Sequence, residues 1–161
     1  MWHMLTTYLF FVVATFFAGV IGALFRRLIS YAGGRMMGEY SDFDSALILE
    51  KVIRKDFSTL SDSQKLMRNR IGYYLQGGLL GIILIGLIAT PLVNSPIPFF
   101  ALYFIITLLI TSIMRVVTKV GLPFWKLSRR QMLNRLFETL IQSIFTVLAL
   151  LVVLRLLIIF S

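Results

Sequence analysis

Residues 136–160 decide the fold of this protein and read LFETLIQSIFTVLALLVVLRLLIIF. Glu138 and Arg155 are the only charged residues in this run of mostly Leu, Val and Ile. About 20 apolar residues at about 1.5 Å each suffice to cross a hydrocarbon core of about 30 Å. The run is longer than a core helix of a soluble domain requires, so the sequence predicts a membrane-spanning helix.

The composition of the whole chain agrees with a membrane protein. Of its 161 residues, 58% are hydrophobic and 14% charged, whereas soluble domains have about 45 to 50% apolar and about 25% charged residues. The net charge is +9, but the basic residues lie between apolar runs, where anionic headgroups attract them. We therefore expect contact with a lipid bilayer and no direct binding of nucleic acid.

The residues that hold most metals and cofactors are scarce. The chain has no cysteine and a single histidine, His3. It therefore offers no disulfide, no thiolate and no second imidazole for a metal ion. We expect no metal site and no cofactor.

Apolar runs predict an all-α, polytopic fold with four membrane-spanning helices. The spans are expected at about residues 4–25, 71–93, 97–117 and 136–160. The connecting segments 26–70 and 118–135 are expected to lie on the same side of the membrane. A signal peptide is the alternative for the first run, but no Lys or Arg precedes it and it exceeds a typical apolar signal region of about 7 to 15 residues. We expect one membrane domain over residues 1–161.

The distribution of positive charge predicts the orientation. Nine Lys and Arg residues occur in residues 26–70 and six in 115–135, whereas the turn between the second and third runs has none. Because basic loops are retained in the cytoplasm, we expect both basic segments there and both termini outside. The expected location is the bacterial inner (plasma) membrane.

Small residues recur at helical spacing in the first two runs. Ala14, Ala18 and Gly22 lie four residues apart, and Gly77 and Gly81 form a GxxxG pair. Such faces admit close contact between helix backbones. We expect helix packing at both, with a self-association surface in the first span and a hinge or gate in the second as alternatives.

Residues 42–60 predict an amphipathic helix. Apolar residues recur there at helical spacing, and charged residues fall largely on the other side. With the start of the next helix it would form a cytoplasmic helical hairpin whose apolar face lies on the bilayer surface, on a neighbouring protomer or on a protein partner. The basic residues expected to contact headgroups or a cytoplasmic partner are Arg26, Arg27, Lys51, Arg54, Lys55, Lys126, Arg129 and Arg130.

Two capping boxes predict where helices begin. Ser61 is followed three residues later by Gln64, and Ser128 by Gln131. In this motif the serine and the glutamine side chains accept hydrogen bonds from each other's backbone N–H. We expect one helix to run from residue 62 into the second span and another from about residue 129 to residue 160.

Polar residues follow one face of each of the last two spans, at intervals of four. They are Tyr103, Thr107, Thr111 and Arg115 in the third span, and Glu138, Gln142 and Thr146 in the fourth. An antiparallel hairpin would set Arg115 level with Glu138, Thr111 with Gln142, and Thr107 with Thr146. In one interpretation these residues join helices, with Arg115 or Arg135 neutralising Glu138. In the other they line a hydrated path for ions or protons.

The sequence lacks the motifs of common membrane enzymes. It contains no HExxH, P-loop or nucleophile elbow, and Glu138 has no carboxylate partner within the spans. We therefore expect a non-enzymatic assembly subunit that forms a homo-oligomer or anchors a complex and presents basic cytoplasmic helices to a protein partner. The alternative is a small oligomeric ion channel or transporter whose path is lined by Arg115, Thr111, Glu138 and Gln142.

Overall fold

The computed structural model describes residues 2–32, 48, 51, 61–88 and 96–160. Four long helices account for most of them: α1 (Trp2–Ala32), α2 (Asp62–Ile88), α3 (Pro96–Thr118) and α4 (Arg129–Phe160). A single 3-10 turn at Phe124–Lys126 lies between α3 and α4. The described residues contain no strand, which confirms the all-α class.

All four helices are long and apolar enough to span a membrane, as predicted, and the protein is an integral membrane protein. The candidate spans are Thr6–Ile29, Met67–Leu87, Ile97–Thr118 and Arg129–Leu156. The first helix continues to Ala32, past the end of the predicted run at residue 25.

The predicted amphipathic helix at residues 42–60 lies outside the described residues, except for Ile48 and Lys51. Both are helical, with Ile48 buried and Lys51 exposed. The turn between α2 and α3, at residues 89–95, also lies outside them.

Both capping boxes form as predicted. The N–H of Ser61 donates to Gln64 Oε1 at 3.0 Å, and the N–H of Gln64 donates to Ser61 Oγ at 3.4 Å. The N–H of Ser128 donates to Gln131 Oε1 at 3.1 Å, and the N–H of Gln131 to Ser128 Oγ at 3.4 Å. These bonds satisfy donors that a helix N-terminus leaves open, so α2 and α4 each begin at the next residue.

Helix α1 is the centre of the bundle. It packs along both α2 and α4, whereas α3 contacts mainly α4. Both of its neighbours run antiparallel to it: Ala23 lies against Gly77 and Thr15 against Gly81. The apolar core is formed by Ala18, Leu84, Leu87, Tyr103, Val147 and Leu150.

Close backbone contact between α1 and α2 depends on glycine. A Cβ atom on Gly19 would lie 2.8 Å from the backbone N of Gly81, and one on Gly77 would lie 2.5 Å from the Cβ of Ala23. Toward α4, a Cβ on Gly22 would lie 2.6 Å from the carbonyl oxygen of Gln142. The structure thus places the predicted packing glycines at helix contacts.

Candidate functional site

One guanidinium joins α1 to α4 inside the bundle. Arg26 Nη2 contacts Glu138 Oε2 at 2.5 Å, and Arg26 Nη1 donates to Gln142 Oε1 at 2.9 Å. The side chains of Arg26 and Glu138 are 11% and 8% exposed. Glu138 and Gln142 are one helical turn apart and share a face of α4. The planar fork of arginine therefore binds both at once.

Arg26 is a partner of Glu138 that the sequence analysis did not name, since it expected Arg115 or Arg135 beside this carboxylate. The predicted register compared only the two helices of the α3–α4 hairpin. Packing of α1 against α4 brings Arg26, near the end of α1, level with Glu138. Phe25 stacks on Phe145 at the same contact, with ring centroids 4.1 Å apart.

The arginines at the end of α1 also contact aromatic rings of α2. The Arg26 guanidinium carbon lies 5.4 Å from the centre of the Tyr73 ring, and that of Arg27 lies 5.8 Å from the Tyr74 ring. Arg27 Nη1 also donates to the Tyr74 hydroxyl at 3.4 Å. Such cation–π contacts contribute about 0.5 to 2 kcal/mol each. Arg26 and Arg27, predicted to contact headgroups or a partner, thus form contacts within the chain.

A polar cavity lies beside the Arg26 contacts, and all four helices contribute to it. Its empty volume, including open solvent at the mouth, is about 310 Å³, and its enclosed part has room for about one water molecule. The residues that line the polar cavity are Arg26, Gln76, Thr107, Thr111, Arg115, Arg135, Thr139 and Gln142.

The predicted polar stripe lies largely inside the bundle. Thr111 is half-buried, whereas the other six predicted members are buried. Thr107, Thr111, Arg115 and Gln142 line the polar cavity. The stripe therefore lies on a shared interior face of α3 and α4. Its end near Arg115 and Gln142 opens into the cavity.

Sequence reasoning missed two residues of the cavity, Gln76 and Thr139. Gln76 is a long polar side chain within an otherwise apolar part of the second span, a signal that could have been weighed by the cost of polar groups in hydrocarbon. Thr139 is buried but lies outside the four-residue spacing of the stripe. Nothing in the sequence separates it from other threonines of the spans.

Several threonine and serine hydroxyls in the spans bond to their own helix. Oγ1 of Thr15 donates to the carbonyl of Phe11 at 2.7 Å, and Oγ1 of Thr146 donates to the carbonyl of Gln142 at 2.7 Å. Oγ1 of Thr111, Oγ of Ser112 and Oγ1 of Thr118 do the same, at 2.9, 2.8 and 2.6 Å. Hydroxyls satisfied in this way need no partner on another helix.

Three buried hydroxyls make no hydrogen bond of full geometry among the described residues. They belong to Tyr103, Thr107 and Ser143, and the Tyr103 hydroxyl lies close to the side chains of Thr107 and Thr146. Each of the three residues is at most 1% exposed. A buried hydroxyl without a partner costs about 1 to 3 kcal/mol, and Thr107 is the one that lines the polar cavity.

The remaining predicted contact residues that the structure describes lie on the outside of the protein. Lys126, Arg129 and Arg130 are exposed around the start of α4, next to Trp125, which is 56% exposed. A tryptophan beside cations suits the headgroup level of a bilayer. Arg54 and Lys55 lie outside the described residues.

Four spanning helices around a buried arginine contact and a polar cavity define the class, a polytopic helical membrane protein with a polar interior at one end. No known protein family, no curated protein and no solved structure matches this chain.

Proposed function

We propose that this protein is a non-enzymatic assembly subunit of the membrane, which oligomerises or anchors a complex. The observation that carries the proposal is the contact of Arg26 with Glu138 and Gln142. Intramembrane charged groups are costly unless they are paired. Here Glu138 and Gln142 hold α4 against α1 through Arg26. Polar groups used for helix contact in this way fit a structural subunit.

The outer face of α3 supports oligomerisation. This helix is the least covered of the four, with 17% of its span buried inside the protein. Leu102, Ile105, Leu109 and Ile113 lie exposed along it. Lipid or a second protomer can cover such an apolar face. In the proposed assembly role, a second protomer covers it.

Basic residues support a cytoplasmic partner. Lys126, Arg129 and Arg130 are exposed at the end of the bundle that holds Arg26 and Glu138. By the distribution of charge this end faces the cytoplasm. In this proposal the amphipathic helix at residues 42–60 lies on the same side and presents Arg54 and Lys55 to the partner.

Replacing Glu138 tests the structural role. We expect Glu138→Gln to lower the stability of the protein in detergent by about 1 to 3 kcal/mol, because the Arg26 guanidinium loses its counter-charge. Ion flux into liposomes should not change. Thermal unfolding in detergent and a flux assay on the same preparation measure the two effects. Arg155→Gln, which removes an exposed charge from the same helix, is the control and should leave stability within about 0.5 kcal/mol.

A small oligomeric channel or transporter is the second candidate. The unpartnered hydroxyls of Tyr103 and Thr107 favour it, because hydroxyls along a water-filled path need no protein partner. The space within one chain admits about one water, so a continuous path would have to form between protomers. A selective flux that Glu138→Gln abolishes while the oligomer stays intact would establish this candidate and overturn the assembly role.

A further inference from the structure

We propose that the polar cavity binds a phosphate group, belonging either to a lipid headgroup or to free phosphate. Arg26, Arg115 and Arg135 line it from three different helices. They are far apart in the sequence, so the tertiary structure alone brings them together. The inference is independent of the assembly role proposed above.

The guanidinium groups supply the chemistry for an oxyanion. Each carries five N–H donors in a planar fork, so a guanidinium already bonded within the protein keeps donors for a ligand. Arg115 is 7% exposed, which excludes much of the water that would screen its charge. Arginine binds phosphate oxygens in pairs, and such charge-assisted bonds are about twice as strong as neutral ones.

Neutral donors complete the lining. Gln76, Thr111 and Thr139 face the same space, and their amide and hydroxyl groups can donate to phosphate oxygens. Oγ1 of Thr107 lies on the cavity wall, is buried, and has no hydrogen-bond partner among the described residues. A phosphate oxygen in the cavity would supply the acceptor that this hydroxyl lacks.

The charge of the lining selects the sign of the ligand. Among the described residues, no carboxylate lines the cavity, and Glu138 beside it is in contact with Arg26. Like charges repel a cation strongly where the effective dielectric constant is low. The cavity therefore excludes metal cations and attracts anions.

Depth and size fit one phosphate group. Arg26 lies three residues before the end of its span at Ile29, and Arg115 three residues before Thr118. At about 1.5 Å per residue, both are about 5 Å from the end of their candidate span. This depth would place them close to the level of lipid phosphates. The inner space takes one water-sized group, so one phosphate oxygen would enter while the rest of the group occupies the mouth.

Two probes distinguish the sources of the phosphate. Phosphatidic acid is added to detergent micelles of the full-length protein, with diacylglycerol of the same acyl chains as the control that lacks phosphate, and bound lipid is counted by native mass spectrometry. Inorganic phosphate is titrated separately, with the midpoint of thermal unfolding as the readout. We expect phosphatidic acid to bind in preference to diacylglycerol, or inorganic phosphate to stabilise the protein; either result supports the site and identifies the source.

The variants place binding at the cavity. Arg115→Gln with Arg135→Gln should weaken binding about tenfold or more, the effect of losing charge-assisted hydrogen bonds. Arg70→Gln with Arg155→Gln removes the same charge from exposed positions that line no part of the cavity and should change binding less than threefold. Neither pair alters Arg26 or Glu138, so failure here leaves the assembly proposal untouched.

If the glutamine variant does not fold, a variant that preserves the charge tests whether the cavity arginines bind phosphate. Arg115→Lys with Arg135→Lys keeps both charges but removes the planar fork, and we expect it to weaken phosphate binding several-fold. Binding by this variant equal to that of the original protein would overturn the proposal. So would an equal loss in the Arg70 and Arg155 control, or no binding of either probe to the original protein.

Discussion

Lys119 shows how a single residue stores strain at the end of a spanning helix. Its φ is 55°, in the left-handed region that costs a residue with a Cβ about 1 to 2 kcal/mol. The N–H of Lys119 donates to the carbonyl of Val116 at 3.3 Å, and that of Val120 to the carbonyl of Arg115 at 3.2 Å. These two bonds form a Schellman motif, in which glycine is the usual residue at this position.

Lys119→Gly should therefore stabilise the protein. We expect a gain of about 1 kcal/mol, because glycine adopts the left-handed conformation without steric cost. Thermal unfolding in detergent measures it. Lys126→Gly removes the same charge from an exposed position without relieving any strain, and it should bring no gain. Equal effects of the two substitutions would mean that charge, not backbone strain, decides stability here.

At the scale of helices, glycines that the sequence analysis identified account for the close contact between α1 and α2. Gly77 and Gly81 form the pair recognised in the second span, and they lie against Gly19 and Ala23 of the first. Because lipid is as apolar as a leucine side chain, van der Waals packing of this kind drives association of helices in membranes. Loss of a close contact should therefore separate α1 from α2.

Two alanine substitutions within one helix test this contact. Gly77→Ala places a Cβ 2.5 Å from Ala23 Cβ, whereas Gly86→Ala meets no atom within 4 Å. We expect Gly77→Ala to cost about 1 to 3 kcal/mol through overpacking. Gly86→Ala should be neutral or slightly stabilising, because alanine favours helix. Unfolding of both variants in the same detergent measures the difference, and similar values for the two would exclude packing as the role of Gly77.

At the scale of the whole molecule, helix packing separates a polar interior from an apolar outer face and a basic end. The polar groups of α4 face α1 and the cavity, and the apolar face of α3 remains outside. Lys126, Arg129 and Arg130 are exposed around the start of α4. An assembly role uses the outer face of α3 for protomers and the basic end for a cytoplasmic partner.

Charge reversal tests the partner. We expect Arg54→Glu with Lys55→Glu to release a copurifying cytoplasmic protein while the mass of the membrane oligomer is preserved, because opposite charges at an interface determine partner choice. Light scattering and mass spectrometry of the purified particle measure both. Arg54→Lys with Lys55→Arg keeps the charge and should retain the partner. A partner that stays bound after charge reversal would place its binding surface elsewhere.

The sequence by itself determined the elements of this protein. Apolar runs fixed four spanning helices, since the bilayer requires a minimum length and tolerates few charges. Serine and glutamine three residues apart located the starts of α2 and α4, because a capping box uses only neighbouring residues. The four-residue spacing of polar residues also showed which face of α3 and α4 turns inward.

The tertiary structure decided which polar groups meet. Arg26 and Glu138 are 112 positions apart, and no local pattern relates them. The contact of Arg26 with Glu138 depends on α1 packing against α4, which the small residues of α1 permit but do not specify. Long-range pairing is set by how helix surfaces fit together, and the same packing gathers three arginines around one cavity.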